Sequence, residues 1–162
     1  MTPDKNGEHP LGDRLQLAAL AAFMILWALD SFILRFSTWA AAGVLPGLRL
    51  AALAILLTAA YLLQKSGHVV VHGRERPQRI VTGGAFARVR HPLYLACLLF
   101  YLALAAASLS ALSLAALIPI FLLYNYLAAY EERVMELRFG PAYQTYRTRV
   151  GRWIPRLPKK RA

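Results

Sequence analysis

Apolar residues in this chain are gathered into four long blocks separated by polar stretches. The first runs from about Leu15 to Phe36 and the second from about Val44 to Leu63, each close to the roughly 20 residues that cross a hydrocarbon core as a helix. The third, Leu93 to about Ala107, would reach only about 22 Å as a helix and needs local thinning or a polar entrance below the headgroups. The fourth, from about Ser113 to Tyr130, is nearer full length, and Ser108-Leu109-Ser110 marks the turn between them. The pattern predicts an all-α polytopic membrane protein with about four transmembrane helices plus a C-terminal interfacial helix. As a single membrane domain it divides into a polar tail (1–14), a hairpin (15–63), a loop (64–92), a second hairpin (93–130) and a C-terminal segment (131–162).

The tail contains Pro3, Gly7 and Pro10 and has no apolar periodicity, so it is expected to be poorly ordered and carries no assigned role. The first hairpin is rich in small residues such as Ala18, Ala22, Ala51 and Ala54, which permit close helix approach. Within it Asp30 is expected to reach the interface or to pair with Arg35. The 64–92 loop is longer than joining two antiparallel helices requires. Val69-Val70-Val71 and Ile80-Val81 read as short β-prone pieces of an extended cover, followed by Gly83-Gly84. Beyond Tyr130 the helical pattern continues to Phe139, where Gly140-Pro141 stops it. Phe139, Tyr143, Tyr146, Val150 and Trp153 then form an aromatic stripe among arginines, as expected of a helix lying on a membrane surface.

Composition supports the membrane reading, with 58% hydrophobic residues, and adds a net charge of +11. In a soluble protein that charge would suggest nucleic acid, but its location decides otherwise. Lys65, Arg74, Arg76, Arg79, Arg88 and Arg90 lie between the second and third blocks, and Arg133, Arg138, Arg147, Arg149, Arg152, Arg156, Lys159, Lys160 and Arg161 follow the fourth. Only Arg35 and Arg49 separate the first two. The positive-inside rule therefore puts both termini and the central loop in the cytoplasm of a multi-pass inner-membrane protein, where the basic segments meet anionic lipid and not nucleic acid. Cys97, the single cysteine, excludes an internal disulfide or a cysteine-based zinc site.

The polar residues that break this pattern are few. Arg90-His91-Pro92-Leu93-Tyr94 opens the third block and Glu131-Glu132 closes the fourth. Two spans joined by a tight turn return the chain to the side it left, so these groups should meet at one membrane face. Pro92 suits the first turn of a helix, whose unpaired backbone donors favour a carboxylate or phosphate. His91 and Tyr94, three apart, offer a ring nitrogen and a phenol on one face. Glu131 and Glu132 lie about 100° apart on a helix and do not form a tight dyad. One can face a pocket while the other pairs with an arginine of the basic tail. His68 and His72 are four apart, but Gly67 and Gly73 flank them, and no metal site is expected.

The ordered combination of Arg90-His91-Pro92 and Tyr94, Glu131-Glu132, Phe139-Gly140 with Tyr143 and Tyr146, and Ile154-Pro155 resembles the isoprenylcysteine carboxyl methyltransferase family, which is similar to the phospholipid methyltransferases. The resemblance implies a membrane enzyme that uses S-adenosylmethionine and places it under the cytoplasmic loop and C-terminal segment. It implies cofactor contacts from Gln78, Arg79, Ile80 and Val81, from Phe86, and from His91, Pro92, Leu93 and Tyr94, with Glu131 as the cofactor-binding carboxylate. Ala85 and Ala96 are mild departures from the family pattern. Leu127 replaces an arginine associated with the substrate carboxylate in the eukaryotic enzymes, which argues against prenylcysteine. Methyl transfer from a sulfonium is an in-line displacement that needs alignment and desolvation but no covalent nucleophile in the protein. Arg90 and Glu132 are the expected catalytic groups nearest a lipophilic or lipid acceptor bearing a carboxylate, thiol or amine. Competing readings are an NADPH-dependent sterol-reductase-like enzyme and a non-enzymatic transporter or structural subunit.

Overall fold

The computed structural model describes residues 9–38, 46–71 and 80–156, and the side chains of 67–71 lie outside that description. Helix α1 (Gly12–Ala28) continues as a wider π turn over Leu29–Leu34. Helix α2 spans Pro46–Val71, a short 3-10 turn covers Gly84–Ala87, and α3 runs Pro92–Ser108. Helix α4 spans Ala111–Phe139 and α5 spans Pro141–Arg149. Among the described residues there is no strand, only a single bridge between Val89 and Gly151. Three helices, Gly12–Leu34, Pro46–Ser66 and Ala111–Phe139, are long and apolar enough to cross a membrane, and α3 is a shorter apolar helix of 17 residues. The protein is an all-α membrane protein.

The helix ends follow from local chemistry. Pro92 begins α3 where a missing N–H costs nothing. Leu109 adopts a left-handed conformation after α3, and the Ser110 hydroxyl accepts the Ser113 N–H at 3.0 Å to cap α4. The 108–110 turn is thus where the apolar pattern put it. Gly140, at φ 51° and ψ −127°, ends α4 in a conformation suited to glycine, and Pro141 starts α5.

Four expectations change. The three valines at 69–71 continue α2 instead of forming extended chain; β-propensity is a weak preference beside an established helix that needs only one further hydrogen bond per residue. Residues 9–14 of the predicted tail are ordered, with α1 beginning at Gly12, ahead of the apolar block, while the rest of the tail lies outside the described residues. Asp30 is buried and bonded to serines, not paired with Arg35. The aromatic stripe of α5 faces protein. Tyr143, Tyr146 and Val150 form a small core with Ile80, Met135 and Phe139.

The main core joins Phe23 of α1, Tyr101 and Ala105 of α3, and Ile120 and Tyr124 of α4. Buried Ala96, Ala103 and Ala105 leave room for neighbouring helices to approach α3. Leu17, Ile25, Leu48, Ile55, Ile118 and Leu122 are exposed, as an outer surface solvated by lipid requires.

At one end of the bundle, the Asp30 carboxylate accepts the Ser37 N–H (3.0 Å), the Ser37 hydroxyl and the Ser110 hydroxyl (2.5 Å). Nearby, Trp27 Nε1 donates to the Leu104 carbonyl and Arg49 Nε to the Ala107 carbonyl. These bonds tie the end of the first span and the start of α2 to the end of α3 and the α3–α4 turn. The opposite end carries the sequence-predicted site.

Candidate active site

Helix α3 starts at Pro92, and α4 runs past its apolar section to carry Glu131 and Glu132 to the same end of the bundle. His91 stands between the two carboxylates, with Nδ1 3.5 Å from Glu131 Oε2 and Nε2 3.2 Å from Glu132 Oε1. The Tyr94 hydroxyl donates to Glu131, and its ring stacks on His91 at 5.6 Å with planes 5° apart. The glutamates therefore do not touch as a dyad; one imidazole links them through its two nitrogens. Burial works against the imidazolium of His91, but hydrogen bonds and charge from Glu131 and Glu132 outweigh it and raise the ring's pKa above its ordinary value.

Glu132 is 3% exposed and is saturated with donors. Arg90 Nε reaches Oε1 at 3.0 Å, and Arg152 Nε and Nη2 reach Oε1 and Oε2 at 2.9 and 2.7 Å, a bidentate pairing. Arg152 also donates to the Asn125 side chain at 2.8 Å. The other arm of Arg90 donates to the Val150 and Arg147 carbonyls at 2.6 and 3.2 Å, and its backbone N–H to the Gly151 carbonyl at 2.9 Å. A Cβ on Gly151 would lie 1.9 Å from the Ile154 carbonyl oxygen, so this crossing requires glycine. The Tyr146 hydroxyl donates to the Phe86 carbonyl at 2.7 Å, and burial pushes that phenol up to about 12. Loop, α4 and C-terminal segment are thus locked around one carboxylate.

A cavity of about 200 Å³ opens beside this cluster. Gln64 of α2, Leu93, Tyr94 and Cys97 of α3, and Glu131 of α4 form part of its wall. The start of α1 completes it with His9, Gly12, Asp13 and Gln16. Ends of four helices therefore converge on one space, as two antiparallel hairpins require. Of the residues expected around a cofactor, Leu93, Tyr94 and Glu131 line this cavity, His91 contacts Glu131 and Tyr94, and Pro92 is buried behind them. Ile80 packs against the Tyr143 and Tyr146 core, Phe86 holds Tyr146 through its carbonyl, and Val81 is half-buried in the same loop. Gln78, Arg79 and His72 lie outside the described residues, as does the side chain of His68. Arg90 and Glu132 do not line the cavity; they are buried on each other and on the C-terminal segment. Leu127 is fully buried in the bundle.

His9, Asp13 and Gln16 are wall residues that the sequence did not reveal. Pro10 and Gly12 interrupt any periodicity there, so the segment read as a tail. The three-residue spacing of Asp13 and Gln16, which puts them on one helix face, was the available signal. Among the described residues no cluster of His, Cys, Asp and Glu suits a metal ion.

A model of the phospholipid methyltransferase family matches residues 41–142, which include α2, α3, α4 and the His91, Tyr94, Glu131 and Glu132 cluster. The chain belongs to this family. Its members being methyltransferases, the cluster at the bundle end belongs to a membrane-embedded methyltransferase. The match excludes α1 and Arg152, so part of the cavity wall and one arm of the Glu132 clamp come from outside it. No curated protein and no solved structure matches the chain.

Proposed function

We propose that the methyl donor is S-adenosylmethionine, held by His91, Leu93, Tyr94 and Glu131, and that the acceptor is a lipophilic small molecule or lipid. The observation that carries this reading is the Glu131 carboxylate, fixed by Tyr94 and His91 at the wall of a cavity reached from several helix ends. The lining suits a cationic, adenine-bearing cofactor: Glu131 is acidic, no lysine or arginine contributes among the described residues, and Leu93 and Tyr94 offer apolar and aromatic cover. When bound, the cofactor supplies an electrophilic methyl group. The protein's part is to hold the reacting groups in line and to exclude water.

Arg90 and Glu132 act in this reading as positioning residues. Their burial and shared bonds support a clamp that sets the loop and α3 start, instead of contact with the acceptor. Exposed Arg88, Arg133, Arg138, Arg149 and Arg156 surround this end of the bundle, which supports a cytoplasmic site with the acceptor entering from the bilayer.

The test is calorimetric binding of S-adenosylmethionine and S-adenosylhomocysteine to detergent-purified protein, with NADPH alongside. Saturable adenosyl binding, weakened in Glu131→Gln and His91→Ala, is expected. A folded protein that binds neither adenosyl compound rejects the cofactor assignment, and NADPH binding in their place favours a reductase.

A further inference from the structure

The wall formed by the start of α1 lies outside the family match, yet it faces the same cavity as Glu131 and Tyr94. It is anchored. The His9 ring packs edge-on against Tyr126 and Tyr130 of α4 at 5.7 and 4.8 Å, and its carbonyl accepts the Gly12 N–H at 2.7 Å. His9 Nδ1 accepts the Leu11 N–H at 3.2 Å, which assigns the ring proton to Nε2 in the neutral ring. The side chain is nine-tenths buried and lines the cavity, and Nε2 has no hydrogen-bond partner among the described residues. A donor that opens on the cavity is available to an acceptor from a ligand or water.

Charge adds a second constraint. The chain carries 19 lysines and arginines against 8 acids, yet among the described residues the ionisable side chains on the cavity wall besides His9, Tyr94 and Cys97 are the carboxylates Asp13 and Glu131. Glu131 is engaged by Tyr94 and His91. Asp13, one helical turn from Gln16, has no ion-pair partner among the described residues.

We propose that the start of α1 is a specificity-determining wall of the acceptor site: Asp13 and Gln16 take the cationic head of a lipophilic ligand, and His9 Nε2 donates to an oxygen of that ligand. Carboxylate-headed ligands are rejected by Asp13 and Glu131 together. This rests on the methyltransferase reading for the word acceptor, but the binding preference is measurable without turnover.

Cys97, the single cysteine, lines the same cavity and reports its occupancy. The experiment measures alkylation of Cys97 by N-ethylmaleimide in the full chain in nanodiscs, with dodecylamine or dodecanoate as probe. Dodecylamine is expected to slow labelling by about fivefold or more, dodecanoate by less than about twofold, and Asp13→Asn to remove most of the amine protection. Melting temperatures establish that each variant is folded, and His9→Gln, which keeps a donor, is expected to retain protection. Equal protection by both probes, protection by neither, or full amine protection in folded Asp13→Asn overturns the proposal. So does a loss of S-adenosylhomocysteine affinity in Asp13→Asn as large as in Glu131→Gln, which would give this wall to the cofactor. Amine protection that survives while wild-type protein binds no adenosyl compound would instead reject the methyltransferase cofactor reading and leave the cation-selective wall standing.

Discussion

Both ends of the bundle bury a carboxylate, and they neutralise it by opposite means. Asp30 takes a backbone N–H and two serine hydroxyls and has no cation beside it among the described residues. Glu132 takes two arginines and a histidine. Hydroxyl and N–H donors satisfy Asp30 from segments that must meet there anyway, so it acts as a staple between the first span and the α3–α4 turn. Cations around Glu132 come from the loop and the C-terminal segment, and the same histidine extends to Glu131 at the cavity. An ion cluster is costly to desolvate, and this one joins three separate segments of the chain, the loop, α4 and the C-terminal segment. One end holds helices together, while the other holds a site in register.

The largest expected effect tests whether Glu132 is structural. Glu132→Ala leaves Arg90 and Arg152 without their counter-charge and is expected to cost about 3–5 kcal/mol, read as thermal unfolding in detergent. Its neighbour should behave differently: Glu131→Gln is expected to unfold near the wild-type temperature but to lose about 10- to 100-fold in S-adenosylhomocysteine affinity. If both variants unfold alike, the division of labour between the glutamates fails.

At the other end, Asp30→Asn keeps the shape but places an amide among serine donors, with an expected loss of about 1–3 kcal/mol and unchanged cofactor affinity. Reduced adenosyl binding in a folded Asp30→Asn protein would show that the two ends are coupled.

The next effect is pH-dependent. The folded-state pKa of His91 is raised by Glu131 and Glu132, so its imidazolium stabilises the fold fully below the unfolded value near 6.5. That contribution is lost as pH rises through the higher folded value. The melting-temperature difference between wild type and His91→Gln should therefore be larger in mild acid than in alkali, and a difference independent of pH would remove the charge from this account. The smallest expected change is at Ser110, whose hydroxyl caps α4 and reaches Asp30. Ser110→Ala should cost about 1 kcal/mol, and because a hydroxyl does not titrate in this range, without the slope seen at His91.

Features written in local pattern were legible in the sequence. The turn at 108–110, the stop at Gly140-Pro141 and the separate directions of Glu131 and Glu132 follow from helix geometry and capping, and the pairing of one glutamate with a tail arginine follows from charge. What depends on residues distant along the chain was not legible. Asp30 meets Ser110, and Arg90 meets the carbonyls of 147 and 150, only because the bundle closes. Tyr143 and Tyr146 could have faced lipid or protein by spacing alone; the loop residue Ile80 decides for protein. His9 and Asp13 sit in a stretch with no periodicity, and only the position of α1 against α4 turns them into a wall.

The clamp on Glu132 also has a consequence for biosynthesis. Arg90, Glu132 and Arg152 leave the ribosome in that order, and Arg152 follows every membrane helix. At about 5–20 residues per second, the interval between the first and last of them is roughly 3–12 seconds. During that interval the helices can insert and pair while Glu132 lacks its bidentate partner. The nascent protein is therefore anchored before its clamp is closed, and a ribosome that stalls short of Arg152 leaves a membrane-inserted chain whose Glu132 lacks its bidentate partner.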